Sequence, residues 1–263
     1  MTPPRIVATD LDGTLLDSRH SVSPRTRRAL RLARESGAEI VFVTARAPRG
    51  VDQIAEQAGV TGTAICSNGA VVYDLDTREI VGTHALDPAA LREVVEILTE
   101  ALPGVAFAAE TGRQVLAEPG YVVHAHDAAY WREVPAVSET DEPVVKLLVR
   151  SRTHPVDEMY TAAVAAVDGQ AEVTHSGASG LLEISATGVT KAGTLALHCE
   201  ARGVAAAEVV AFGDMPNDLA ALVFAGAGYA MANAHDLVRS AVERHTLSND
   251  EDGVAVVLER LFG

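Results

Sequence analysis

The chain has 263 residues, 48% of them hydrophobic, with 36 acidic against 21 basic side chains and a formal net charge of -15. That length and apolar content support one large domain or a core with an insert, whereas the negative balance argues against nucleic acid or an anionic membrane as partner, since both need positive fields. The two cysteines form no CxxC pair, and the first residues, MTPPRIVATD, lack the basic region and apolar run of a secretion signal, so a cytoplasmic protein without a membrane span is expected.

Arg5 to Thr9 reads as a strand that runs straight into two carboxylates, Asp10 and Asp12, and a Gly-Thr turn. Ser23-Pro24 is a helix start, and PRTRRALRLARESG is an amphipathic helix ending at Gly37. EIVFVT follows as a near-continuous apolar strand, PRGVDQIAEQAG as a helix and TAICSN as a short strand. From about Ala70 to Thr187 the pattern changes. Hairpin-like AVVYDLDTREIVGTHAL and strand-like EPVVKLLVRS mix with the helical runs DPAALREVVEILTEAL and PVDEMYTAAVAAVDG, which is an α+β pattern. The βα style then returns with TKAGTLALHCEARG (helix), EVVAFGD (strand), PNDLAALVFAG (helix), AGYAM (strand), AHDLVRSAVERH (helix) and a last helix from Gly253. Continuous apolar strands alternating with helices predict an α/β fold, a Rossmann-like doubly wound parallel sheet. The predicted boundaries are 1–81 with 188–263 for this core and 82–187 for the inserted α+β segment.

In such a sheet, ligands sit beyond the carboxyl ends of the strands. There the sequence places Asp10 and Asp12, then Thr44-Ala45-Arg46, then Ser67-Asn68, then Asp214 through Asp218; Lys191 opens a helix just after the insert. Carboxylates from different strand ends repel, and a divalent cation with hard oxygen ligands, Mg²⁺ foremost, relieves that repulsion. A cation beside the Thr44 hydroxyl and the Lys191 ammonium makes a phosphate cradle. Asp10 is then placed to attack phosphorus, and Asp12 to protonate the leaving group and later deprotonate water. Alone, each feature has a plainer reading: DxDGT as an Asp-Gly turn, GDMPND as a helix cap, Lys191 as a solvated surface lysine. A calcium loop is excluded, because Gly13 falls at its fourth position rather than its sixth. The joint order of the residues at strand ends favours phosphoryl transfer.

DLDGTLL, VTAR, SNGA, GVTKA, GDMPND, AMANA and NDEDGVA together resemble the haloacid dehalogenase superfamily, specifically its Cof-type phosphatases with a C2-type cap. The resemblance implies that Asp10 is nucleophile and metal ligand, and that Asp12 is general acid/base with its backbone carbonyl on the metal. It implies that Thr44 and Lys191 hold the phosphate, with the Ala45 amide and Arg46 in the same loop, and that Asp214 binds Mg²⁺ while Asn217 and Asp218 complete that loop. Asn68 falls near the phosphate or the cap. Ala45 departs from the family, where glycine is usual at that position.

The expected activity is therefore Mg²⁺-dependent hydrolysis of small phosphorylated metabolites, sugar phosphates or phosphorylated cofactors, through an aspartyl-phosphate. A phosphomutase or phosphotransferase on the same core and a non-catalytic phosphate-binding regulatory module are the alternatives, the last disfavoured because binding alone needs no Asp12. Other features carry less. His124 and His126 alternate on a strand pattern but lack the neighbouring acids or cysteines of a second metal site, Glu183 reads as packing at the core edge ahead of supporting the cap hinge or the site, Tyr130 and Trp131 as a cap–core contact or a stack on substrate, and Cys66 and Cys199 as buried small hydrophobes.

Overall fold

In the computed structural model, which describes residues 3–123, 127–175 and 180–263, Ile6–Thr9 forms β1 with every residue buried. The expectations for His124 and His126 lie outside the described residues. Helix α1 (Pro24–Glu35) starts where predicted, with Ser23 Oγ accepting from the Thr26 amide at 3.0 Å and Pro24 in the first turn, where its missing N–H costs nothing. Next come β2 (Glu39–Val43), α2 (Asp52–Ala58), β3 (Thr63–Cys66), β4 (Val71–Asp74) and β5 (Glu79–Thr83).

The chain continues with α3 (Pro88–Ala101), β6 (Ala106–Glu110), β7 (Val115–Ala117), β8 (Trp131–Glu133), β9 (Lys146–Arg150), α4 (Val156–Val167), β10 (Ala171–Thr174) and β11 (Leu181–Ala186). It closes with α5 (Lys191–Ala201), β12 (Val209–Gly213), α6 (Leu219–Phe224), β13 (Ala227–Ala230), α7 (Asp236–Ala241), β14 (Arg244–His245) and α8 (Gly253–Phe262). Residues 1–82 and 191–263 form one unit, and 83–190 a second.

The first unit is α/β. Its sheet runs in the order β14-β13-β12-β1-β2-β3-β4-β5, parallel from β14 to β3, with β4 antiparallel to β3. From β1 the strands are added in opposite directions, so right-handed crossovers put helices on both faces. Accordingly α1 packs with α2 and α8, and α5 packs with α6. Strands covered twice need apolar residues at nearly every position, which β12 and most of β1 and β2 supply.

Three local expectations are corrected. The hairpin read into the changed pattern after Ala70 joins this large sheet, because the chain reverses after β3 at Ser67 and Asn68, both with left-handed φ (50° and 58°). The strand therefore ends at Cys66 rather than running through Ser67-Asn68. The helix expected across AHDLVRSAVERH stops at Ala241, where β-branched Val242 takes extended backbone (φ -105°, ψ 125°), and Arg244–His245 pairs with β13.

The second unit is α+β. Its sheet, β10-β11-β9-β6-β7-β8, is antiparallel apart from the β7–β8 pair. Alternation along the strands sends Phe107, Leu147, Val149, Leu182 and Ile184 into one core with Leu91, Val94, Leu98 and Met159 of α3 and α4. Among the described residues no helix is long and apolar enough to cross a membrane.

Candidate active site

β1 delivers its chain to the middle of the sheet's carboxyl edge, where the Asp10 amide donates to the Phe212 carbonyl of neighbouring β12 at 3.0 Å. The loop that follows turns tightly, with the Thr14 and Leu16 amides both donating to the Leu11 carbonyl and Leu11, Leu15 and Leu16 buried beneath it. Gly13 takes φ +77°, and a Cβ there would lie 2.9 Å from Asp214 Cγ. Any larger residue would be strained and would press on the acid opposite.

Asp10, Asp214 and Asp218 meet at this edge. All three are buried, and a carboxylate oxygen from each lies within 4.8 Å of the other two. Lys191, the first residue of α5, lies among them with its Nζ 2.7 Å from Asp10 Oδ1 and 2.6 Å from Asp218 Oδ1. Asp218 Oδ2 accepts the Asp214 and Met215 amides at 3.0 and 2.9 Å, which holds the GDMPND loop in shape. Asp214 Oδ1 accepts from Thr14 Oγ1 at 2.7 Å.

Burial pushes Asp10 well above the usual carboxylate range; Lys191 opposes this, and Asp218 and Asp214 add to it. Asp214 is pushed up to about 7, first by burial and then by Asp218. Burial alone would lower Lys191, but the Asp10 and Asp218 carboxylates outweigh it and hold the ammonium above its ordinary value. Three buried carboxylates around one ammonium leave negative charge uncompensated in a poorly solvated place, a donor set of hard oxygens that fits a divalent cation.

Asp12 has a cation of its own. Its carboxylate is forked by Arg46, with Nε 2.6 Å from Oδ2 and Nη2 2.5 Å from Oδ1, and His20 Nδ1 lies 3.5 Å from Oδ1. Burial would raise Asp12, but the Arg46 hydrogen bonds and charge outweigh it and hold the carboxyl below its ordinary value. In the same loop Thr44 is buried and its Oγ1 accepts from the Arg46 amide at 3.1 Å, while Ala45 is half-buried. Asn68 Oδ1 accepts from Asn217 Nδ2 at 3.1 Å, and among the described residues the buried Ser67 Oγ and Asn217 Oδ1 have no partner.

The structure thus gathers Asp10, Lys191, Asp214 and Asp218 into one cluster, sets Asp12 with Arg46, and joins Asn68 to Asn217. Sequence reasoning passed over Thr14, although it stands inside the DLDGTLL run. It also assigned no role to Asn233 and Asn249, whose side-chain amides donate to the Gly13 and Leu16 carbonyls at 2.8 Å each. The quoted runs AMANA and NDEDGVA held that signal. Glu183, expected to pack at a core edge, forms a buried ion pair with Lys146 in the second unit, Tyr130 and Trp131 are exposed, and both cysteines are buried.

A family model described as haloacid dehalogenase-like hydrolase matches residues 7–258. The phosphatase YwpJ of Bacillus subtilis is 29% identical, the match covering 98% of this chain and 100% of that protein. The pyridoxal phosphate phosphatase YbhA of Escherichia coli is 27% identical over 95% of this chain and 96% of its own. Among solved structures, a haloacid dehalogenase-like hydrolase from Bacteroides thetaiotaomicron superposes with a TM-score of 0.79 at 27% identity, covering 98% of this chain and 100% of that one.

Proposed function

The chain belongs to the haloacid dehalogenase-like hydrolases and is a phosphatase, and on that premise we propose that it hydrolyses small phosphorylated metabolites, sugar phosphates or phosphorylated cofactors, through an aspartyl-phosphate on Asp10. The observation that carries this reading is the buried cluster of Asp10, Asp214 and Asp218 around Lys191 at the carboxyl edge of the parallel sheet.

Asp10 Oδ attacks phosphorus and the ester P–O bond breaks, the leaving oxygen taking a proton from the Asp12 carboxyl, which has to be protonated for this step against the pull of the Arg46 fork. Asp12, now a carboxylate, then takes a proton from water as that water attacks phosphorus, which releases orthophosphate and restores Asp10. Lys191 and the Thr44 hydroxyl hold phosphoryl oxygens, with the Ala45 amide, Asn68 and Asn217 around them. Arg46, expected in the same set, instead holds Asp12. Asp10, Asp214 and Asp218, with the Asp12 backbone carbonyl, are the residues that would hold Mg²⁺, whose contribution is to neutralise charge on the transferred oxygens. Every group named here comes from the first unit, so selection among substrates is assigned to the second, acting as a cap.

The test is a panel of phosphorylated metabolites, pyridoxal phosphate and sugar phosphates included, assayed with Mg²⁺ and with chelator, on the wild type and on Asp10→Asn. Turnover is expected only with the cation. Asp10→Asn should lower kcat on the order of 10⁴-fold or more, because an amide is no substitute nucleophile. Undiminished turnover in chelator would refute the cation, and undiminished turnover of Asp10→Asn would refute the covalent intermediate.

A further inference from the structure

We propose that Arg46 is a positioning residue that aims the Asp12 carboxylate at the water hydrolysing the aspartyl-phosphate, and is not a ligand of the substrate phosphate; this rests on the acid/base reading of Asp12 above. The two acids of the first loop each have their own cation. Asp10 is met by Lys191 at 2.7 Å, from 181 residues away in sequence, and Asp12 by Arg46 at 2.6 and 2.5 Å, from the loop after the neighbouring strand β2. The two contacts differ in kind. The ammonium on Asp10 is a point charge that can turn to a phosphoryl oxygen without losing its place, whereas the guanidinium fork fixes both the position and the plane of the carboxylate it grips.

The rest of Arg46 is pinned for that purpose. Its amide donates to Thr44 Oγ1 at 3.1 Å, its carbonyl accepts the Ser67 amide at 2.8 Å, and Nη1 reaches the Gly50 carbonyl at 3.2 Å. The guanidinium therefore uses its two carboxylate-matching donors on Asp12 and a third on backbone. Asp12, by contrast, has a side chain 45% exposed, and His20, the other group near it, is exposed too and stands 3.5 Å away. Without Arg46 the carboxylate is a solvated rotor. A base in that condition loses the fixed geometry from which proton transfer draws its advantage.

The half-reaction affected follows from the leaving group. p-Nitrophenolate departs without a proton, so phosphorylation of Asp10 by p-nitrophenyl phosphate does not need Asp12, whereas hydrolysis of the intermediate does. Stopped-flow assays on the Mg²⁺-loaded enzyme test this. Arg46→Ala is expected to release a burst of p-nitrophenolate close to one per active site, followed by steady turnover ~100-fold below wild type, with the inhibition constant of orthophosphate unchanged. Arg46→Lys, which keeps a charge but not the fork, should fall between the two, and added guanidinium ion should raise the steady rate of Arg46→Ala. Unaltered turnover, an orthophosphate constant that weakens in step with kcat/KM, or an Arg46→Ala protein with no burst and no guanidinium response overturns the assignment. If Arg46→Ala does not fold, Arg46→Lys is read by the same burst and orthophosphate criteria. A wild type inactive on every ester would overturn the phosphatase mechanism itself, a result distinct from an active wild type indifferent to Arg46.

Discussion

Lys191 shows how far a residue's surroundings can depart from its usual habit. Lysine is ordinarily solvated, yet here 2% of the residue is exposed and its ammonium meets two buried carboxylates. Removing one partner from such a buried group leaves the others uncompensated. Lys191→Met should therefore destabilise the cation-free protein by on the order of 3 kcal/mol at pH 8. The loss should be smaller at pH 5, where Asp214, pushed up to about 7, is protonated and carries no charge to balance. Urea unfolding of both proteins at the two pH values measures the difference, and an equal loss at both would mean that the lysine acts by packing alone.

At the scale of elements, the loop behind β1 is held from the far end of the chain. Asn233, just past β13, and Asn249, just before α8, donate to its Gly13 and Leu16 carbonyls, while Asp250 Oδ1 accepts the Ser18 amide at 2.7 Å. At the other end of that connection, Ser23 Oγ and Thr26 Oγ1 at the start of α1 donate to Asp252 Oδ1 at 2.5 and 3.3 Å. The C-terminal segment is thus a splint for the loop that carries both acids. Asn249→Ala, which leaves the half-buried Leu16 carbonyl bond unmade, should lower stability by about 1 kcal/mol. It should also lower kcat/KM while leaving the urea m-value unchanged, as equilibrium unfolding and steady-state assays would register. A stability loss with full activity would mean that the splint supports the fold without steadying the acids.

At the scale of the whole molecule, the acidic cluster links stability to pH and to a cation. Asp10 and Asp214 keep their protons to higher pH in the folded chain than in the unfolded one, where a carboxyl titrates near 3.8. The folded state therefore binds more protons between these values, and stability falls as pH rises toward and through about 7. The other shifts act outside this window. Asp12 is held below its ordinary value, so its contribution is present above 3.8 and is lost only as acid takes the pH below that. Lys191 is held above its ordinary value, and its contribution persists until alkaline pH above 10.5. In chelator, Tm should fall from pH 5 to pH 8, and excess Mg²⁺ should raise Tm more at pH 8 than at pH 5, because protons and cation compete for the same oxygens. Calorimetry in both conditions decides it, and a cation effect that does not depend on pH would count against these carboxylates as its ligands.

Much of this was legible in the chain itself, because the signals are short-range. Four to six apolar residues in a row followed by a helical period announce a strand covered on both faces, and the polar residue after each run is then placed at the strand's carboxyl end by connectivity alone. So Asp10, Thr44, Asn68 and Asp214 can be located after β1, β2, β3 and β12 without any contact being known. Pairing across the fold is another matter. Arg244–His245 is a strand only because β13 offers it a partner, and β4 and β5 extend the large sheet only because the turn at Ser67 and Asn68 lays them beside β3. Nor does spacing say which cation each acid receives. Asp10 and Asp12 are two residues apart, yet one is buried against Lys191 and the other forked by Arg46, since burial and ion pairing depend on which distant elements converge and not on the residues next along the chain.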